Sequence, residues 1–65
     1  MWGTDLYTDD SNVCSAALHA GVIPATGGTV VVTLQPGLSS YRGTTRNGVS
    51  TLPYGSWAGS FSISP

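Results

Sequence analysis

One stretch of this 65-residue chain reads as helix, and that limits the fold more than any other feature. Asn12 to Ala20 contains neither Gly nor Pro, ends at Gly21, and follows Asp9, Asp10 and Ser11. A short side chain with an acceptor satisfies the free amides at a helix start, so Asp10 or Ser11 is the expected N-cap. Asp9 suits the positive end of the helix dipole. Gly21 is the expected residue after the helix, because glycine enters the left-handed region without a Cβ penalty. Inside the segment Val13, Cys14, Ala16, Ala17, Leu18 and Ala20 are apolar, which leaves Asn12, Ser15 and His19 as one narrow polar stripe. A helix apolar over most of its circumference has to be covered by other elements. A helix this short would not persist alone in water.

Those other elements read as strands. Thr29 to Leu34 is rich in β-branched residues and lies between Gly27-Gly28 and Pro36-Gly37, the pattern of a central strand. Trp57 to Ile63 alternates, with Trp57, Gly59, Phe61 and Ile63 on one face and Ala58, Ser60 and Ser62 on the other. On this pattern Trp57 belongs to the core. Trp2, Thr4 and Leu6 suit a first strand, and Asn47-Gly48 between short β-prone runs is the strongest hairpin signal in the chain. The expected architecture is α+β: a single small domain over residues 1–65, with short antiparallel strands wrapped around one central buried helix. A parallel sheet is excluded, since a single helix cannot supply its crossovers.

Charge narrows the function. Charged residues make up 8% of the chain and hydrophobic ones 40%, so disorder driven by charge and low hydrophobicity does not apply. Lys and Glu are absent, and Arg42 and Arg46 face Asp5, Asp9 and Asp10 for a formal net charge of −1. Two arginines cannot neutralise a run of phosphates, so nucleic acid is not an expected partner. Val30-Val31-Val32 is the longest aliphatic run, far short of the roughly 20 residues of a membrane-spanning helix. No Gly-rich phosphate loop is present and no cofactor is expected.

Chemically active side chains are sparse. Cys14 is the single cysteine, so it has lost a partner, sits in the core or pairs between chains. Cys14 and His19 are five residues apart on a helix and diverge by about 140°, which argues against a nucleophile and base dyad. His19 is expected at the core rim and Cys14 within the core. Asp5, Asp9 and Asp10 are weak oxygen-ligand candidates for a hard cation, without the spacing of a calcium loop, and the expected metal set is none. Tyr41, Arg42, Arg46 and Tyr54 lie in glycine-rich segments and combine aromatic rings with cations, so they are the candidate ligand-binding residues. Tyr41, beside Arg42 in a loop, is expected to be exposed.

Longer strings carry a family resemblance. Trp2-Gly3-Thr4-Asp5-Leu6-Tyr7-Thr8-Asp9-Asp10-Ser11, then Val13-Cys14 and Ala16-Ala17-Leu18-His19-Ala20-Gly21-Val22-Ile23, resemble the front half of an LCCL domain. The second half is similar as well: Gly27-Gly28, Pro36-Gly37, Ser39-Ser40-Tyr41, Asn47-Gly48-Val49, Tyr54-Gly55-Ser56-Trp57 and Gly59-Ser60-Phe61. The resemblance implies an extracellular or secreted module of a longer chain, with a central helix wrapped by sheets. It implies a non-enzymatic role in binding a glycan-bearing surface, lipopolysaccharide or polysaccharide, or a protein partner. It also implies an upstream Cys-Pro-x-x-Cys segment, one of whose cysteines pairs with the position matching Cys14. Without that segment the domain is expected to be shortened at its N-terminus. Cys14 is then a free buried thiol or an exposed orphan, and an open sheet edge invites a homo-oligomer.

Overall fold

The computed structural model describes residues 1–65. It contains β1 (Gly3–Thr4), β2 (Leu6–Thr8), α1 (Val13–His19), β3 (Val31–Pro36), β4 (Thr45–Arg46), β5 (Val49–Ser50) and β6 (Gly59–Ser64). Four strands form an antiparallel sheet in the order β1-β2-β6-β3, and β4 and β5 form a separate hairpin. The helix packs on β6 on one side and on the hairpin on the other. The α+β expectation holds, with a helix between two sheets.

The helix ends follow local chemistry. Asn12, not Asp10 or Ser11, is the N-cap: its backbone is extended and its Oδ1 accepts from the Ser15 amide at 3.0 Å. Ser11 is instead buried, its Oγ accepting from the Trp2 amide at 3.1 Å and meeting Thr8 Oγ1 at 2.9 Å. Gly21 has a φ of 76°, with its amide on Leu18 O and the Val22 amide on Ala17 O, each at 3.0 Å. This pair of bonds is the Schellman closure, which uses two of the orphan carbonyls at the helix end. Asn47 and Gly48 both have positive φ, 53° and 77°, as a two-residue hairpin turn with the strand twist requires. That turn also docks on the helix, because Asn47 Nδ2 donates to His19 O at 3.0 Å.

Three strand expectations change. The first strand breaks at Asp5, whose φ of 67° reverses the chain so that Thr4 pairs with Leu6 and Gly3 with Tyr7. The valine strand begins at Val31, runs to Pro36 and lies at the sheet edge instead of its centre. Its side chains are open to solvent, Leu34 being 80% exposed, since so short a chain has no second layer to cover them. The last strand begins at Gly59, so Trp57 lies outside the alternation that placed it in the core.

The buried face of the helix is narrower than its composition implies. Ala16, Ala17 and His19 are buried, whereas Val13 and Cys14 are exposed. Cys14 is thus a free exposed thiol, and His19 belongs to the interior instead of its rim. The apolar centre is Tyr7, Ala16 and Phe61, with Met1 and Ile63 packed against it. Tyr7 and Phe61 are register partners across β2 and β6, their rings 5.8 Å apart. Ala16 lets the helix backbone approach this pair closely.

Candidate functional site

Two constellations stand out, one inside and one on the surface. The inner one starts at Tyr7, whose hydroxyl lies 2.8 Å from His19 Nδ1; both residues are 0% exposed. His19 Nε2 lies 3.1 Å from Thr44 Oγ1 and 3.3 Å from Thr44 O. The carbonyl can only accept, so the proton sits on Nε2 and Nδ1 accepts from Tyr7. Thr44 Oγ1 then donates to Thr4 Oγ1 at 2.7 Å, and Thr4 Oγ1 donates to Arg42 O at 2.8 Å. Every hydroxyl in this chain donates once, and no buried side-chain polar atom of the protein lacks a partner. Burial pushes the Tyr7 hydroxyl above its ordinary value and the Asp5 charge adds to this, while the Asp5 backbone and Arg46 pull the other way. The chain ties β1, β2, α1 and the approach to β4 together. Cys14, exposed on the helix, takes no part in it.

The surface constellation is a groove of about 220 Å³ lined by Trp2, Thr8, Asp10, Tyr54 and Trp57. Backbone bridges set its walls: Trp2 pairs with Leu52, and Tyr54 pairs with Tyr41 through two bonds of 2.8 and 3.1 Å. The Tyr54 ring lies 6.0 Å from Trp2 at 65° and 5.6 Å from Trp57 at 79°. Trp57 is oriented by a bond from its Nε1 to Asp9 Oδ1 at 2.7 Å. The Asp9 carboxylate itself lies against Gly59, where a Cβ would come within 2.6 Å of Oδ2. Thr8, buried at the floor, is already bonded to Ser11.

The candidate binding residues do not gather as a set. Tyr54 lines the groove, but Tyr41 is 3% exposed, with its hydroxyl accepting from the Leu38 amide at 2.9 Å. Its loop folds inward because both backbone groups pair with Tyr54. Arg46 Nη1 bonds Asp5 Oδ1 at 2.8 Å in a solvent-exposed pair, and Arg42 is exposed away from the groove lining. The three aspartates are divided among that ion pair, Trp57 and the groove, and they form no metal-ligating cluster. Residue types missed Trp2, Thr8 and Asp10 as lining residues. Two tryptophans in a chain with so thin a core are the one signal that points to Trp2, and nothing in the sequence singles out Thr8 or Asp10 for this role.

A helix held between an antiparallel sheet and a hairpin, with aromatic side chains displayed in a surface groove, defines a small α+β module. The chain belongs to the LCCL domain family, which it matches over residues 1–61. It is 41% identical to vitrin from Homo sapiens over 63 residues, 97% of this chain and 9% of that protein. It is 35% identical to Homo sapiens cochlin over 63 residues, 97% of this chain and 12% of cochlin. Clotting factor C from Tachypleus tridentatus is 41% identical over 61 residues, 94% of this chain and 6% of that protein. The chain thus spans about a tenth of the length of these relatives. They are extracellular or secreted proteins that carry the LCCL domain as one module. No solved structure gives a significant match.

Proposed function

We propose that the chain is a non-enzymatic extracellular binding module that engages a glycan-bearing surface through the groove of Trp2, Tyr54 and Trp57. The groove geometry carries this reading: three aromatic rings converge on one small concavity, and Asp9 fixes one of them in place. Aromatic faces pack on the C–H faces of sugar rings, and a preset indole limits the ordering cost of binding. The family supports a binding role, since relatives carry the domain as one module among others. Titrating the chain with lipopolysaccharide and a panel of polysaccharides, followed by tryptophan fluorescence, tests it. Saturable quenching that disappears in Trp57→Ala is expected. Silence with every glycan refutes the glycan reading and leaves a protein partner as the ligand.

A second reading, self-association, has its own observation. β3 is hydrogen-bonded to β6 on one side only, and Val31, Val32 and Leu34 along it are 53%, 40% and 80% exposed. An open edge with apolar side chains is a template for pairing with another copy. Light scattering across a concentration series decides this, since a mass fixed at the monomer value removes it.

A further inference from the structure

The groove's charge and shape narrow the class of sugar it can take. We propose that it binds a single sugar unit carrying a free ammonium group, which deepens the glycan-binding reading and rests on it. Asp10 lines the groove, and the Asp9 carboxylate stands behind Trp57. Neither arginine lines it, and the Arg46 charge is already matched by Asp5. A phosphate or carboxylate entering here would meet negative charge with no counter-ion, whereas an ammonium group would meet an acid and aromatic rings.

The ring arrangement points the same way. Trp2 and Trp57 stand at 65° and 79° to Tyr54, so the groove offers ring faces at steep angles to one another, one of which can take a sugar face while a neighbour meets its substituent. Steeply angled rings surround a compact cation, to which indole is the strongest aromatic partner. The volume of about 220 Å³ is below the roughly 300–1,000 Å³ of sites for drug-sized ligands, and it suits one ring and not a chain segment. The Thr8 hydroxyl is committed to Ser11, so selectivity falls to Asp10 and the rings.

The test compares glucosamine oligomers, their N-acetylated counterparts and free choline, using the tryptophan indole signals in amide-correlation NMR. Glucosamine oligomers are expected to shift both indole signals, and N-acetyl oligomers to bind at least about tenfold more weakly. Asp10→Asn, a change at an exposed side chain, is expected to lower glucosamine affinity about threefold, and added salt to weaken binding further. Equal or tighter binding of the N-acetyl oligomers overturns the ammonium assignment and leaves the glycan reading standing. Choline binding as tightly as the amino sugar overturns the requirement for a sugar ring. Silence with both oligomer series, alongside silence with the polysaccharide panel, sinks both readings.

Discussion

The bond between Tyr7 and His19 gives the sharpest test of how this small domain holds together. Tyr7→Phe keeps the ring on Phe61 and Ala16 but leaves His19 Nδ1 buried with no donor, a loss of about 1–2 kcal/mol. His19→Leu fills most of the same space but strands the Tyr7 hydroxyl, for about 2–3 kcal/mol including the lost bond to Thr44. In the double variant neither atom of that bond remains to be orphaned. Its destabilisation is expected to fall short of the sum of the singles by about 1–2 kcal/mol. A 65-residue chain has roughly 3–10 kcal/mol in total, so both single variants should be visibly weakened and still foldable. Urea unfolding followed by tryptophan fluorescence and circular dichroism supplies all four corners of the cycle. Strictly additive penalties would refute the assignment of that buried pair as a unit.

Other consequences are more local. Asn12→Ala removes the bond to the Ser15 amide and is expected to lower stability by about 1 kcal/mol in the same assay, whereas Asp10→Ala, at an exposed non-cap position, should cost much less. Gly21→Ala places a Cβ at a φ of 76° and within 3.0 Å of Asn47 Nδ2, so a loss of about 1–2 kcal/mol is expected. Asp9→Ala releases the Trp57 indole at small cost to stability, about 0.5–1 kcal/mol, and should change tryptophan emission without altering the fold seen by circular dichroism. Because burial raises the Tyr7 value, the folded chain holds its proton at alkaline pH where the unfolded chain has released it. Stability is therefore intact below about pH 10 and falls above it, by at most about 1.4 kcal/mol per pH unit from this group, as alkaline urea titrations should show.

The features that were legible in the sequence are those fixed by backbone chemistry. Gly21 ends the helix and Asn47-Gly48 makes the hairpin because few other residues adopt positive φ without strain. What the sequence concealed depends on partners far away along the chain. His19 is polar by type and its place in the polar stripe points to the core rim, yet Tyr7 and Thr44 satisfy both of its ring nitrogens, so it can be buried at little cost. Cys14 suffered the reverse, since no element covers its side of the helix. Tyr41 left the surface because its loop pairs with Tyr54, and Trp57 left the core because its strand starts two residues later. The groove arises where Trp57 and Tyr54 meet Trp2, residues far apart along the chain, which explains why no contiguous motif announces it.

Binding through the aromatic groove, as proposed, is reported most directly by the Trp57 indole N–H, which Asp9 holds in place. Chemical-shift mapping with a binding polysaccharide should move the Trp2 and Trp57 indole signals and the amides of Thr8, Asp10 and Tyr54. Shifts gathered instead at Arg42, Arg46 or along β3, with both indoles unmoved, would contradict it.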